Sequence, residues 1–254
     1  EGNKCEHYVK TKNGLSLTVE AKNTLHQIRN SVLDTKEIID VSKRSGLCPY
    51  EVAIEVSKEA SVIVCDYYYL FNPMISQMFF PKIGKELENS IIIVDEAHNL
   101  PERLREFATE RLSGIVMKNA IKEAKKFSYD DILKYLVKIN DVINNFLSEM
   151  QSMGAKEKVI DKELFIDEIS KLHDYDLLIK DLDFISESIK ETQKRSFIAS
   201  VANFLRAWKG EDVGFTRILK LNYGREGNYY LLSYKCLDPS LISGPVINNA
   251  HSTI

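Results

Sequence analysis

Residues 90–94 constrain the fold more than any other segment, because the run Ser-Ile-Ile-Ile-Val ends directly in acidic residues. An apolar, β-branched run bounded by polar residues is typical of a strand buried on both faces of a sheet. In open α/β sheets, ligands bind just beyond the carboxyl ends of the strands. Asp95 and Glu96 follow the run directly. The sequence therefore predicts a binding site at this end of the sheet.

Two adjacent carboxylates at such a place suit phosphoryl-transfer chemistry. One carboxylate can hold Mg²⁺, usually through water, and the next can polarise the water that attacks a γ-phosphate. An acidic pair can also simply start a helix, because acids favour a helix N-terminus. The preceding strand, together with His98 two residues after Glu96, favours the catalytic interpretation of Asp95 and Glu96.

The rest of the chain divides into segments with different patterns. Residues 61–65 form a second β-branched run, which predicts a strand parallel to the first. Residues 1–50 are polar and predict two short helices that need extra support, for which a metal cluster is one solution. Residues 215–236 alternate around a Gly-rich turn at 224–228, which predicts a hairpin. Residues 112–209 predict helices without strands, and their strongest stripe is Ile132, Tyr135, Leu136, Ile139, Ile143, Phe146, Leu147 and Met150.

The order of several short motifs closely resembles the XPD family of superfamily 2 DNA helicases, which has the bacterial relative DinG. The resemblance is carried by Gly-Leu-Cys-Pro-Tyr at 46–50, Asp-Tyr-Tyr-Tyr-Leu-Phe-Asn-Pro at 66–73 and the DEAH box at 95–98. Residues 200–204 and 234–241 look like the segments that return the family's chain to its first motor domain. The resemblance implies an ATP-dependent DNA helicase, an ATP hydrolase that moves 5′ to 3′ in DNA repair, including nucleotide excision repair.

The resemblance also implies roles for particular residues. Asp95 would serve Mg²⁺ with ATP, Glu96 would activate water, and His98 would couple the nucleotide state to DNA binding. Cys5 and Cys48 look like the third and fourth ligands of a 4Fe-4S cluster.

Three tyrosines are candidates for contacts with DNA. Tyr50 resembles a residue at the point of strand separation. Tyr68 and Tyr69 are candidates for stacking on bases of single-stranded DNA, with packing inside the protein as the alternative.

The expected fold is α/β, namely part of a RecA-like parallel-sheet motor domain with a mostly helical arch-like insertion. We expect an iron–sulfur-domain remnant at 1–50, the motor segment with the DEAH strand at 51–111, the arch-like domain at 112–213, and a hairpin returning to the motor domain at 214–254. No Walker A motif, G-x-x-x-x-G-K-[ST], occurs in the sequence. We therefore expect an internal fragment without ATPase activity of its own.

Bulk properties limit the partners. Thirty-four basic and 37 acidic residues give a net charge of −3, so any DNA binding needs a local surface. No run approaches the ~18 apolar residues of a membrane span. Four cysteines without a CxxC pair indicate a reducing, intracellular setting, cytoplasmic in a prokaryote and nuclear in a eukaryote.

Single-stranded or forked DNA is the expected substrate, with a repair-complex protein as a further partner of the helical domain. Two alternatives stay open. The chain could be an arch module that binds a partner protein or single-stranded DNA without catalysis, or an XPD paralogue without the cluster.

Overall fold

The computed structural model describes residues 5–224 and 227–254. Their contacts form two compact units, Glu1–Leu100 with Ile242–Ile254, and Pro101–Leu241. The helices are α1 (Glu6–Thr11), α2 (Val19–Arg29), α3 (Thr35–Arg44), α4 (Pro49–Glu59), α5 (Tyr67–Phe71), α6 (Pro73–Ile83), α7 (Leu100–Phe107), α8 (Gly114–Lys126), α9 (Asp130–Ser152), α10 (Lys162–Ser170), α11 (Tyr175–Thr192), α12 (Phe197–Trp208) and α13 (Ser240–Asn249). The strands are β1 (Lys12–Asn13), β2 (Ser16–Leu17), β3 (Ile91–Ile92), β4 (Glu110–Ser113), β5 (Glu157–Val159), β6 (Phe215–Gly224), β7 (Gly227–Cys236) and β8 (Ser252–Thr253).

The N-terminal part of the first unit has its own apolar core. The two predicted short helices are confirmed as α2 and α3, and Asp34 starts α3 with a capping box that includes Glu37. α2 and α4 bury a shared set of apolar side chains, which are Ala21, Leu25, Ile28, Leu47 and Val52. The extra support that these short helices need therefore includes an apolar core, because their sparse apolar residues converge on α4.

The two predicted buried strands differ from the structure. Residues 61–65 form no strand, and Val62 and Val64 are 80% and 95% exposed. β3 is only two residues long and pairs in parallel with β8. Ile92 is buried, whereas Ile91 and Ile93 are exposed. A strand buried on both faces needs cover on both sides, and the described residues of this unit provide it on only one.

The first unit also buries an ion cluster beside this core. Lys12 Nζ lies 2.7 Å from a carboxylate oxygen of Glu51 and 3.1 Å from one of Glu55. Lys58 Nζ adds a contact of 2.8 Å with Glu55. Both glutamates belong to α4 and are buried. The cluster therefore fastens β1 to α4 through charges that depend on one another.

The second unit packs helices against an antiparallel sheet with the strand order β4-β7-β6-β5. The predicted hairpin is confirmed as β6 and β7, whose pairing runs to Gly224 opposite Gly227, and residues 225–226 of its turn lie outside the described residues. β4 and β5 contradict the expectation of helices alone in this region. Their pairing with β6 and β7 places the hairpin with the helices, where we expected a separate segment from residue 214.

A helical core fills the rest of the second unit. The predicted stripe on α9 is confirmed, since Ile139 and Leu136 are fully buried. Trp208 of α12 is also fully buried and lies against Phe165 and Phe204. Arg217 of β6 is buried as well, and its guanidinium donates to the carbonyl oxygens of Trp208 and Gly210. These contacts join the sheet to the end of α12.

Among the described helices, we find none with both the length and the apolar character that a bilayer span requires.

Candidate active site

The acidic pair lies in a strained turn directly after β3. Glu96 has φ 49° and ψ 43°, in the left-handed region that non-glycine residues seldom occupy. Its backbone N–H donates to Oδ1 of Asp95 over 3.0 Å, and a short 3-10 helix, Ala97–Asn99, follows. Both residues are exposed. Strain of this kind costs about 1–3 kcal/mol and is concentrated at functional sites.

His98 and Glu96, two of the predicted site residues, are in contact. His98 Nδ1 lies 3.3 Å from Oε2 of Glu96, and the two side chains are 72% and 64% exposed. Protonation of the imidazole would turn this contact into an ion pair. The turn thus holds Asp95, Glu96 and His98 together on an open surface.

Tyr67 fixes the turn through hydrogen bonds to its backbone, a role that we did not predict. Its hydroxyl donates to the backbone carbonyl of Asp95, with a longer contact of 3.3 Å to that of Glu96. Asp66 begins α5 by accepting from the N–H of Tyr68, and this cap sets the direction of the preceding chain. The three consecutive tyrosines look alike in the sequence, and only the contact with residues 95 and 96 separates Tyr67 from the other two.

The candidate DNA-binding tyrosines lie in different surroundings. Tyr50 is 43% exposed, and Lys82 Nζ lies 5.1 Å from the centre of its ring. Tyr68 is also 43% exposed. Tyr69 packs against Phe79 with ring centres 4.8 Å apart, which is the packing alternative that the sequence left open.

The two candidate cluster ligands lie on neighbouring segments. Cys5 precedes α1 and is exposed, while Cys48 precedes α4 and is partly buried. Thr11 Oγ1 accepts from the N–H of Cys48 over 2.7 Å, and His7 Nδ1 lies 2.9 Å from the carbonyl oxygen of Gly46. Both contacts join α1 to the loop that carries Cys48.

This pair does not by itself fit a 4Fe-4S cluster, which takes four thiolates. No group of three or more His, Cys, Asp or Glu side chains in the described part of the chain is arranged to hold a metal ion. Burial raises the pKa of Cys65, helped by the charge of Asp66, and burial likewise raises the pKa of Cys236. Cys236 is buried and packs as a small apolar residue, whereas Cys65 is only partly buried.

A shallow cleft of about 820 Å³ also lies in the first unit, between α6 and residues 84–88. Neither Asp95 nor Glu96 lines it. The acidic turn, rather than this cleft, carries the arrangement of groups suited to chemistry.

The comparisons with known proteins agree with one another, because the family model and the individual relatives all concern helicases of one kind. The DEAD_2 family model matches residues 1–116. The chain is 29% identical over 122 residues to "Regulator of telomere elongation helicase 1 homolog" of Caenorhabditis briggsae, which covers 48% of this chain and 12% of that protein. It is 33% identical over 95 residues to "ATP-dependent DNA helicase CHL1" of Saccharomyces cerevisiae (strain YJM789), which covers 37% of this chain and 11% of that protein.

A longer match extends beyond the DEAD_2 segment. The chain is 26% identical over 174 residues to the "Regulator of telomere elongation helicase 1 homolog" of Drosophila yakuba, covering 67% of this chain and 15% of that protein. The chain thus spans roughly an eighth of the length of the curated relatives that it matches. Residues 1–116 match the DEAD_2 domain of XPD-family helicases, and the whole chain corresponds to a small part of much longer relatives.

Proposed function

We propose that this protein contributes the acidic half of the ATP site of a DNA helicase. In this proposal Asp95 would help to hold the Mg²⁺ that accompanies ATP, and Glu96 would orient and polarise the water that attacks the γ-phosphate. The observation that carries the proposal is the left-handed turn after β3, which keeps two carboxylates adjacent and exposed. The yeast relative is named an ATP-dependent DNA helicase, which supports ATP hydrolysis as the reaction.

Tyr67 and His98 have supporting roles in the proposal. Tyr67 is a positioning residue, because it binds only the backbone of the turn and not the carboxylates. His98 contacts Oε2 of Glu96 and can respond to a change in that carboxylate when nucleotide binds. The phosphate-cradling backbone and its lysine are not among these residues, since the sequence has no Walker A motif.

The finer parts of the proposal concern the substrate. We propose single-stranded or forked DNA, unwound 5′ to 3′ in repair, with Tyr50 and Tyr68 as stacking residues. The partial exposure of these two residues supports the assignment. The named relatives come from nematode, fly and yeast, which supports a nuclear location.

The proposal for the 4Fe-4S cluster concerns only part of its ligand set. Cys5 and Cys48 would supply two of the four thiolates, and the other two would have to come from outside these 254 residues. A specific observation favours the second candidate, a family member without a cluster, because Leu25, Leu47 and Val52 give this region an apolar core of its own. Iron content and the brown chromophore of the complete protein, compared with its Cys48→Ser variant, distinguish the two candidates.

The test of the ATP site is Glu96→Gln in the complete protein. Loss of the general base should lower ATP turnover by roughly 10²–10⁴-fold while nucleotide binding is retained. Glu88→Gln, an exposed glutamate of the same unit outside the turn, is the matched control. Near-normal turnover in Glu96→Gln would remove Glu96 from the site.

A further inference from the structure

Four lysines lie on the outward face of α8, beside the exposed Ile115 at its start. Lys118, Lys122, Lys125 and Lys126 are exposed, while Met117, Ala120 and Ala124 on the opposite face are fully buried. Glu123 is the one acidic residue of this helix, and it is only 5% exposed. No negative charge of α8 itself therefore reaches the solvent beside the four lysines.

Glu123 holds a neighbouring loop that carries two further cations. Its Oε2 accepts from the hydroxyl of Ser196 and from the N–H of Ile198, each over 2.9 Å. Its Oε1 accepts from the side-chain amide of Gln193. These contacts place the loop between α11 and α12 against the last turn of α8. The loop carries Lys194 and Arg195, and both are exposed.

These six cations share one property. In the described part of the chain, none of the six lies within ion-pair distance of a carboxylate; they are Lys118, Lys122, Lys125, Lys126, Lys194 and Arg195. Four other lysines of the unit are each paired with a carboxylate, namely Lys134, Lys171, Lys209 and Lys220. Glu191, at the end of α11, adds one negative charge near the six positive ones. The surface is strongly positive in a chain of net charge −3.

We propose that this basic face, formed by α8 and residues 194–195, binds the phosphate backbone of single-stranded DNA. The choice of DNA as the polyanion rests on the proposed helicase function. Lys118 and Lys126 are separated by about 12 Å along the helix axis, at 1.5 Å per residue, so the cations form a row rather than a point. Lysines act as point charges toward successive phosphates without reading sequence. The Phe197 ring, 42% exposed beside Ser196, offers a stacking surface for a base.

The test replaces the four α8 lysines with glutamine in the 254-residue chain: Lys118→Gln, Lys122→Gln, Lys125→Gln and Lys126→Gln. Glutamine has nearly the same helix propensity as lysine, so α8 should persist. Fluorescence anisotropy with a labelled oligothymidylate, without nucleotide, measures the affinity. We expect a loss of about tenfold or more at ~0.1 M salt, and a decrease of the logarithmic salt slope by about 3, or ~0.7 per lost contact.

The matched control removes the same charge from the same unit through Lys134→Gln, Lys171→Gln, Lys209→Gln and Lys220→Gln. Because these lysines are paired with carboxylates, the control should change affinity less than twofold, and circular dichroism checks that both variants fold. Equal losses in the two variants, or no loss in the α8 variant, overturn the proposal; in the latter case an acidic protein segment becomes the next occupant to test. The assay contains no ATP, so its outcome is independent of the outcome for Glu96.

Discussion

Glu123 should contribute strongly to the stability of the second unit, because its buried carboxylate accepts hydrogen bonds from the N-terminus of α12. Glu123→Ala removes the acceptor of the Ile198 N–H and of the Ser196 hydroxyl, both of which lie in buried surroundings. Each buried donor left without a partner costs about 1–3 kcal/mol. The favourable charge at a helix N-terminus is lost as well, at about 0.3–1 kcal/mol. The higher helix propensity of alanine returns only a few tenths of a kcal/mol.

The sum predicts a destabilisation of about 2–6 kcal/mol for the second unit. For a unit of this size, about 4 °C per kcal/mol gives a decrease in Tm of roughly 8–24 °C. Trp208 is the only tryptophan of the chain and is fully buried in this unit, so its fluorescence follows the unfolding of this unit alone.

Two further variants show whether the loss of stability in Glu123→Ala comes from its buried hydrogen bonds. Glu123→Gln keeps one acceptor oxygen and should lie between the wild type and Glu123→Ala. Glu149→Ala is the control, because Glu149 is also helical but is 57% exposed in a pair with Lys158, which makes its contribution about 0–1 kcal/mol. If urea titrations place Glu123→Ala within 1 kcal/mol of Glu149→Ala, the buried hydrogen bonds do not hold α12, and the reasoning is refuted.

Two other predictions concern the first unit. Tyr67→Phe should lower ATP turnover of the complete protein by roughly tenfold, the equivalent of one hydrogen bond of about 1.4 kcal/mol, while its affinity for nucleotide stays unchanged; a parallel loss of affinity would contradict a role limited to the turn. Burial opposes ionisation of Glu55, but hydrogen bonds from Lys58 and Lys12 outweigh it and lower the pKa of Glu55. The resulting stabilisation should be complete above about pH 4.3, the ordinary pKa of glutamate, and should be lost as the pH falls through the lowered pKa. Hydrogen exchange of α4 in the wild type and in Glu55→Gln should diverge above that pH and converge below it, and a constant difference across the range would count against the linkage.

Local patterns were sufficient for the helices and the hairpin. The α9 stripe was predictable because a helix repeats its buried face every few residues, whatever packs on it. β4 and β5 were not predictable, since strands of four and three residues leave almost no alternation to detect. They form because β7 and β6 offer partners for pairing. Residues 61–65 show the converse, with β-branched composition but no strand partner among the described residues.

The candidate site was predictable only in part. The order of Asp95, Glu96 and His98 along the chain indicated the turn, and the structure places the side chains of Glu96 and His98 in contact. Tyr67 could not be chosen from three consecutive tyrosines, because its role depends on a contact with residues 28 and 29 positions away. The basic face of α8 was visible as lysines, but their lack of acidic partners is a property of the folded chain.

The pairing of β3 with β8 has a consequence for the order of folding. Ile92 pairs with Thr253, and the whole second unit lies between them in sequence. Closing so long a loop in an unfolded chain carries a large entropic cost, and contacts of high sequence separation form slowly. Prior folding of the second unit would bring its two ends into a fixed relation and remove most of that cost. The continuous unit should therefore fold first during synthesis, and the discontinuous unit that carries the acidic turn should be completed last.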